Sequence, residues 1–319
     1  MGGILTVARL FRLPNLFIVW LTQWLVTVRV FAPALAEQHL PSNLDPIDFA
    51  LLSAATVLTT LTGYVINDYF DADIDALNKP EKVVVGRVMA PRTALRIYLA
   101  GLLLLLLLTL ALAFRQGYWP LLVFPTVAVA LFLYARFLKC TPLFGNLLVA
   151  FLCGLVPLVP LGAELFPADA PLGASFFSPR SDQREAIPHS AFRIPHSIWL
   201  FALFAFAGNF FREQVKDLQD AAGDGACRCR TLPVRVGALK ARWVAACAGL
   251  LLLLLVSWLP AYKQQPGIPF WAYSAGIVLL AVPVAWVTWR TATGTSARHF
   301  AAASGVTKWV MLAGLGLLV

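Results

Sequence analysis

Two short stretches of this sequence carry aspartates at the same spacing, and these are the residues best suited to chemistry. The first stretch reads NDYFDADID and the second reads DLQDAAGD. In an α-helix, positions separated by three and by seven residues lie on the same face, so each stretch predicts three carboxylates side by side. The six aspartates, which we expect to be catalytic, are Asp68, Asp71 and Asp75 in the first stretch and Asp217, Asp220 and Asp224 in the second.

Carboxylates this close together repel one another and raise each other's pKa unless a positive charge neutralises them. A divalent cation is the simplest answer, and Mg²⁺ suits carboxylates, amide oxygens and waters while bridging to substrate phosphates. Asn67 offers a neutral oxygen at the edge of the first acidic face, and Glu213 extends the second face. The alternative is that the acids only balance nearby Lys and Arg side chains. Two matching clusters make that explanation weaker than a single cluster would.

The composition indicates that membrane-spanning helices position these carboxylates. The chain has 319 residues, of which 60% are hydrophobic and 13% charged, and its mean hydropathy is +0.76. Apolar runs of about 18 residues or more, which can cross a bilayer, recur along the chain. The sequence therefore predicts an all-α, polytopic membrane bundle of about nine helices. The predicted spans cover roughly residues 15–35, 47–67, 94–114, 118–138, 143–165, 196–212, 241–260, 269–289 and 303–319.

Basic residues sort to one side of these spans. Most of the 25 Lys and Arg residues fall on one face, together with both aspartate stretches, as the positive-inside rule expects. We therefore expect a cytoplasmic amino terminus, a retained first span, an outer carboxyl terminus, and an active site on the cytoplasmic side of the cell's inner (plasma) membrane. The net charge of +9 then reflects topology, so membrane lipids are expected partners and nucleic acid is not.

The chain offers no separable soluble domain. We expect residues 1–319 to form a single transmembrane domain, interrupted by one long polar segment at 166–195. This segment is rich in Pro, Ser and Ala and has no periodicity, so it is predicted to be a flexible insert on the outer side.

The five cysteines suggest little chemistry. Cys227 and Cys229 form a CxC sequence that lacks the spacing of a zinc site. Cys140, Cys153 and Cys247 are expected to pack as small apolar residues. We assign none of the five a role.

Basic residues closely follow or surround both aspartate stretches. Mg²⁺ combined with Arg and Lys is an arrangement that holds a diphosphate and stabilises charge as it leaves. A diphosphate at a membrane surface indicates a substrate with a lipid tail. Taken singly, each basic residue is equally well explained as a marker of topology. The candidates here are Lys79 and Arg87 after the first stretch and Arg212, Lys216 and Arg228 around the second.

With these residues in place, the sequence resembles the UbiA superfamily of intramembrane prenyltransferases. The NDxxDxxxD motif of that family matches NDYFDADID, and its DxxxD motif matches DAAGD at 220–224. RLPN at 12–15 and YARFLKCTPLFGN at 134–146 agree further. The two aspartate regions are most similar to those of geranylgeranylglycerol-phosphate geranylgeranyltransferases and their bacterial relatives. The insert at 166–195 and the polar residue Gln214 depart from the family pattern.

The resemblance implies a helical bundle around a cavity open to the bilayer, with the aspartates at its cytoplasmic mouth. It implies Mg²⁺-dependent transfer of a polyprenyl group, most simply geranylgeranyl, from its diphosphate to a lipid acceptor such as a glycerol-phosphate prenyl ether. The implied metal ligands are Asn67, Asp68 and Asp71 for one ion and Asp217, Asp220 and Asp224 for another, with Asp75 completing the first motif. The residues expected to bind the diphosphate are Asn67, Lys79, Arg87, Lys139, Arg212, Lys216 and Arg228.

Aromatic residues near the two stretches are candidates to line a reaction chamber, because aromatic faces stabilise a carbocation-like centre and water harms it. These residues are Tyr64, Tyr69, Phe70, Phe210 and Phe211. Ordinary packing or an interfacial aromatic belt explains any single one of them better.

Two other functions fit parts of the pattern. The acceptor could be an aromatic quinone precursor of the hydroxybenzoate or naphthoate type, or a chlorin or haem ring. A divalent cation transporter would also use acidic residues, but it predicts acids near the bilayer midplane, whereas these acids lie at the ends of predicted spans.

Overall fold

The computed structural model of the chain describes residues 10–78, 80, 83–166, 192–262 and 270–318. All regular elements in these ranges are helices, apart from one isolated bridge between Val85 and Met89. The α-helices are α1 (Leu13–Val26), α2 (Ala32–Glu37), α3 (Pro46–Phe70), α4 (Ala72–Asn78), α5 (Pro91–Gln116), α6 (Trp119–Leu133), α7 (Phe144–Leu155), α8 (Val159–Leu165), α9 (His196–Ala226), α10 (Leu232–Val236), α11 (Ala238–Tyr262), α12 (Phe270–Thr293) and α13 (Ala297–Leu318).

Short π-helical or 3-10 turns join several of these helices into longer helical segments. A π turn at Thr27–Phe31 connects α1 to α2, another at Tyr134–Leu138 extends α6, and a 3-10 turn at Val156–Leu158 connects α7 to α8. Among the described residues, seven helical segments are long and apolar enough to cross a membrane: Leu13–Glu37, Pro46–Phe70, Pro91–Gln116, Trp119–Leu138, Phe144–Leu165, Ala238–Trp258 and Ser274–Thr293. The positions of these seven segments agree with seven of the predicted spans, and α9 and α13 coincide with the other two. The prediction of an all-helical, multi-pass membrane protein is confirmed.

The chain divides into two compact units. The first contains the described residues of Met1–Ala72, Glu81–Arg136 and Leu155–Trp199, and the second contains those of Asp73–Pro80, Phe137–Gly154 and Leu200–Val319. The first aspartate stretch is therefore divided between the units after Ala72. The expectation that residues 1–319 form one domain stays a prediction.

The first unit is built around the packing of α3 on α5. Val65, Ile66, Ala94 and Tyr98 are buried in one core cluster of this unit. Gly101 brings the two helices close together, since a Cβ atom at this position would lie 2.6 Å from Cγ2 of Thr62. The contact fixes the carboxyl-terminal half of α3, which leads into the first aspartate stretch.

A buried polar cluster holds the opposite end of α3. Asp48 is 0% exposed and accepts hydrogen bonds from Nε of Arg115 and, at 2.6 Å, from Nε2 of Gln116. Asp45 caps the amino terminus of α3 by accepting from the Asp48 backbone N–H at 2.8 Å, and it accepts from Nη2 of Arg115 at 2.9 Å. Glu164 closes the preceding loop by accepting from the Asn43 N–H at 2.8 Å.

In the second unit, α12 packs between α11 and α13. The long helix α9 belongs to this unit from Leu200 onward and carries the second aspartate stretch. Helix α9 continues through Gly223 and Gly225 and ends at Ala226, and the left-handed backbone of Arg228, with φ of 59°, follows its end.

The structure contradicts the expectation of one helical face for the first stretch. Helix α3 ends at Phe70 and α4 begins at Ala72, so Asp68 and Asp75 lie on different helices. The break falls at Asp71, whose carboxylate accepts from the Asn67 amide at 2.5 Å while its N–H donates to the Asn67 carbonyl at 2.9 Å. Asp71 is therefore the carboxyl-terminal cap of α3, and Asp75 belongs to the next helix.

The expectation for Cys140 was also wrong, because Cys140 and Cys229 form a disulfide. Two nearby backbone bonds support it: the Arg230 N–H donates to the Cys140 carbonyl at 3.1 Å, and the Cys229 N–H donates to the Asp224 carbonyl at 2.8 Å. Sequence spacing concealed this pair, since its members are 89 residues apart.

Most of the predicted outer insert at 166–195 lies outside the described residues. Its end is anchored in the first unit: the ring of Phe192 lies 6.5 Å from that of Phe31, and the Arg193 N–H donates to Oε1 of Gln38 at 2.6 Å.

Candidate active site

The first aspartate stretch presents two carboxylates in the first unit. Asp71 is buried at the end of α3 and contacts the Asn67 amide. Asp68, one turn earlier, accepts a hydrogen bond from Nη2 of Arg12 at 2.5 Å. Each carboxylate therefore has its own donor, one neutral and one charged.

Arg12 also belongs to the candidate site, although the sequence assigned it no role beyond the RLPN match at 12–15. Its guanidinium lies 4.7 Å from the centre of the Tyr64 ring while it pairs with Asp68. Asn15 adds a hydrogen bond from Nδ2 to the Tyr64 hydroxyl at 3.3 Å. The RLPN sequence at 12–15 was the available signal, since it supplies both partners.

The second stretch lies on one continuous helix, as predicted. Asp217 accepts a hydrogen bond from Nδ2 of Asn146 at 2.8 Å, which links α9 to α7. Asp224 is only 7% exposed and accepts from Oγ1 of Thr231 at 3.2 Å and from Nδ2 of Asn78 at 3.4 Å. Neither asparagine nor Thr231 was assigned a role from the sequence, because each is brought to its aspartate by the fold.

Burial makes these two carboxylates costly to ionise. Both lie beyond the predicted span at 196–212. Burial raises the pKa of Asp217 to about 7, against the lowering effect of the Asn146 hydrogen bond. Burial also raises the pKa of Asp224, against the Thr231 hydrogen bond, and the charge of Asp220 adds to the rise. A bound cation favours the ionised form of such groups, so their surroundings suit a cation site.

Glu213 forms ion pairs with two of the basic side chains that were predicted to bind diphosphate. It accepts from Nη1 of Arg212 at 2.7 Å and from Nζ of Lys216 at 2.9 Å. Burial alone raises the pKa of Glu213, but the charges of Lys216 and Arg212 outweigh burial and lower the pKa to about 2. Lys139 also lowers the pKa of both Glu213 and Asp224, so its charge acts within the second aspartate region.

The other site residues predicted from the sequence lie on several elements. Asp75 and Asp220 are half-buried in the second unit, on α4 and α9. Arg87 is exposed in a turn of the first unit, and Arg228 is exposed beyond α9. Lys79 lies outside the described residues.

Several of the aromatic candidates contact other aromatic rings or are buried in the protein. The Phe70 ring lies 5.2 Å from Tyr69 and 5.9 Å from Phe132, centre to centre. Phe210 stacks on Phe206 with centres 6.1 Å apart, and Phe211 is fully buried. A chamber-lining role for these residues stays a prediction.

The chemistry of the donor set fits Mg²⁺. Carboxylates accompanied by amide and hydroxyl oxygens are the ligands that this ion prefers, and it commonly takes one or two protein carboxylates together with phosphate oxygens and water. Within the described ranges, no three His, Cys, Asp or Glu side chains converge closely enough to hold a metal ion by themselves. The two expected three-residue sites therefore stay predictions, and each would need oxygens from substrate or solvent.

Comparison with known proteins identifies the family of the chain. The UbiA prenyltransferase family matches residues 24–312. A digeranylgeranylglyceryl phosphate synthase from Methanosarcina mazei is 30% identical over 273 residues, which cover 84% of this chain and 83% of the relative.

Solved structures share the fold. A structure concerning digeranylgeranylglyceryl phosphate synthase in membranes matches with a TM-score of 0.62 and 22% identity, covering 100% of this chain and 98% of the other. A UbiA homologue from Archaeoglobus fulgidus, bound to DMAPP and Mg²⁺, matches with a TM-score of 0.53 and 15% identity, covering 98% of both chains. The helical fold, the paired aspartate motifs and the match across residues 24–312 together show that this chain is a prenyltransferase of the UbiA family.

Proposed function

We propose that this enzyme transfers a geranylgeranyl group from its diphosphate to the free hydroxyl of a glycerol-phosphate prenyl ether. The observation that carries the choice of acceptor is the 30% identity, over 84% of this chain, to a digeranylgeranylglyceryl phosphate synthase. The buried and hydrogen-bonded aspartates support the choice of a diphosphate donor, because they suit a cation that binds phosphate oxygens.

In the proposed reaction, the bond between the allylic carbon and the diphosphate oxygen breaks, and diphosphate leaves with the electron pair. The acceptor oxygen forms the new ether bond to that carbon and gives its proton to a base, either an aspartate carboxylate or the released diphosphate. Mg²⁺, when bound, neutralises the charge that develops on the leaving diphosphate. The proposed ligands are Asn67, Asp68, Asp71, Asp217, Asp220 and Asp224, and Asp75 completes the first motif.

The surrounding residues have two proposed tasks. Arg12, Asn78 and Asn146 hold individual carboxylates in fixed orientations, since each donates a hydrogen bond to one of them. Basic side chains supply charge toward the diphosphate, with Lys139, Arg212 and Lys216 near the second stretch and Lys79, Arg87 and Arg228 as further candidates.

We also propose that the reaction takes place at the cytoplasmic side of the plasma membrane, with the amino terminus in the cytoplasm. The distribution of Lys and Arg along the chain supports this orientation. Both substrates then reach the enzyme from the bilayer, where their prenyl chains reside.

The test measures diphosphate release from geranylgeranyl diphosphate by purified enzyme in lipid with added Mg²⁺. One arm contains geranylgeranylglyceryl phosphate, a second contains hydroxybenzoate and a third contains no acceptor. D71N and D220N are assayed in parallel, because Asn keeps the size of Asp but removes its charge. We expect release that depends on the glycerol lipid and falls at least about 100-fold in both variants, the loss typical of removing a group that stabilises developing charge.

Other results would change the proposal in defined ways. Release that depends only on hydroxybenzoate would replace the acceptor with an aromatic ring and leave the diphosphate chemistry in place. Full activity in both variants would refute the metal-binding role of the two stretches. Product mass and lability in acid would distinguish an ether lipid from a ring alkylated on carbon.

A further inference from the structure

Asn78 contacts an aspartate of the second motif, although no pattern in the sequence assigned it a role. It is the last residue of α4 and follows the first motif by three residues. In the structure it belongs to the second unit, where its Nδ2 atom donates to Oδ1 of Asp224 at 3.4 Å. Asp224 lies 146 residues away in the chain.

Gly223 is required for this contact. A Cβ atom at position 223 would lie 2.0 Å from Oδ1 and 2.4 Å from Cγ of Asn78. Any larger residue must displace the Asn78 side chain, because such distances are far below van der Waals contact. Gly225 has the opposite environment, since a Cβ atom there meets nothing within 4 Å. The two glycines thus form a natural pair of test and control on the same helix.

Asp224 is held from two directions. Thr231 donates to Oδ2 and Asn78 donates to Oδ1, so each carboxylate oxygen has a donor. A buried carboxylate with a donor on each oxygen has little rotational freedom. Without the Asn78 contact, Asp224 keeps the Thr231 bond on Oδ2, and its carboxylate group can rotate more freely.

We infer that Asn78 is a positioning residue that fixes the Asp224 carboxylate for cation binding, and that Gly223 provides the space for it. The inference deepens the proposed function and rests on it, since it takes Asp224 as a ligand of the cation. It also explains why α9 carries a glycine at 223, where the helix does not end.

The first measurement is binding of Mn²⁺, a paramagnetic substitute for Mg²⁺, to the full-length protein in detergent with inorganic diphosphate. Electron paramagnetic resonance gives the free Mn²⁺ concentration directly and does not require turnover. The variants are N78A, G223A, the double variant N78A/G223A, the control G225A and the ligand variant D224N.

We expect N78A to bind Mn²⁺ about tenfold more weakly, the low end of the loss seen when a residue supporting a metal ligand is removed. G223A should cause a similar loss, because the new methyl group displaces Asn78. The double variant should bind no more weakly than N78A, because without the Asn78 side chain the methyl group has nothing to displace. G225A should bind as the wild type does.

The second measurement separates positioning from general structural damage. The Mg²⁺ concentration for half-maximal diphosphate release should rise by the same factor as the Mn²⁺ dissociation constant, while kcat at saturating Mg²⁺ stays within about twofold. A residue that only stabilises the fold would instead reduce the amount of active enzyme at every Mg²⁺ concentration. G223A keeps the test available even where N78A folds poorly.

The outcomes distinguish this inference from the proposed function. If D224N loses Mn²⁺ binding while N78A and G223A retain it, the positioning role is wrong and the proposed function stands. If D224N binds Mn²⁺ as tightly as the wild type, Asp224 is not a ligand, so the positioning role of Asn78 is wrong and Asp224 leaves the proposed ligand set, while the proposed reaction stands. A double variant that adds the full loss of G223A to that of N78A would overturn the link between the two residues.

Discussion

Three aspartates of the two motifs each accept a hydrogen bond from the side-chain amide of an asparagine. An amide donor reduces the cost of burying a carboxylate without supplying a full opposite charge. At Asp217 and Asp224 a cation can therefore bind without first breaking a buried ion pair, which would be expensive. The three pairs are Asn67 with Asp71 at 2.5 Å, Asn146 with Asp217 at 2.8 Å and Asn78 with Asp224 at 3.4 Å.

At the amino-terminal end of α3, Asp45 and Asp48 instead pair with the charged Arg115. The contribution of each pair can be tested by measuring the free energy of unfolding. We expect D48A to destabilise the protein by about 3 to 5 kcal/mol, because it leaves Arg115 without its most buried partner. D45A should cost only about 1 kcal/mol, since it removes a helix cap and a more exposed ion pair. Unfolding of both variants in detergent, followed by circular dichroism, measures the difference. Equal losses would contradict the assignment of Asp48 as the centre of the cluster.

At the residue scale, spacing along one helix was readable from the sequence and contacts between helices were not. The six aspartates stood out because each set lies within eight positions of the chain. Arg12 is 56 residues from Asp68 and Asn146 is 71 residues from Asp217, so no local pattern joins them. Their short motifs, RLPN and FGN, gave only a resemblance.

At the scale of elements, the Cys140–Cys229 disulfide ties the segment before α7 to the segment after α9. The first segment includes Lys139, whose charge acts on Asp224, and the second follows Asp224 directly. The disulfide therefore joins a predicted diphosphate-binding residue to the second aspartate motif within the second unit.

Loss of this disulfide should lower both stability and donor affinity. We expect C140S to reduce the free energy of unfolding by about 2 to 4 kcal/mol and to raise the KM for the prenyl diphosphate more than it lowers kcat. Thiols are kept reduced in the cytoplasm, so wild-type protein is compared in oxidised and reduced samples. Thermal unfolding with and without dithiothreitol gives the stability change.

C247S is the matched control, since Cys247 is a free, exposed cysteine. Its melting temperature should respond to reductant as that of the wild type does. Two results together would contradict the role of the disulfide. The melting temperature of the wild type would be the same with and without reductant, and mass spectrometry would find no linked Cys140–Cys229 peptide.

Helix positions were predicted more accurately than helix interruptions. Long apolar runs determine where a chain can cross a bilayer, so the spans follow from composition. Hydropathy does not register the residue at which a helix ends, and the break at Asp71 is an example. The same applies to the end of α9, which passes through two glycines before it stops.

At the scale of the whole molecule, seven helical segments of the described residues are long and apolar enough to cross a membrane, and α9 and α13 coincide with the other two of the nine predicted spans. An odd number of crossings places the two ends of the chain on opposite sides of the membrane. Together with the bias of Lys and Arg, this predicts a carboxyl terminus outside the cytoplasm.

Reporter fusions after Val319 test this orientation. Alkaline phosphatase, which is active only outside the cytoplasm, should be active in this fusion. Green fluorescent protein exported unfolded by the general secretion route, which does not fluoresce there, should be dark. Fusions after Gln116, at the end of α5, serve as a control with the same expected pattern. Fluorescence of the carboxyl-terminal fusion would reverse the orientation or reduce the number of spans by one.

The contact between Asn78 and Gly223 has an evolutionary consequence. Because a Cβ atom at position 223 would occupy the volume of the Asn78 side chain, position 223 cannot be enlarged while Asn78 keeps its place. Across related sequences we expect the two positions to covary: an alanine or larger residue at 223 should accompany a residue smaller than asparagine at 78. Position 225, where a methyl group meets no neighbour, should vary independently of both.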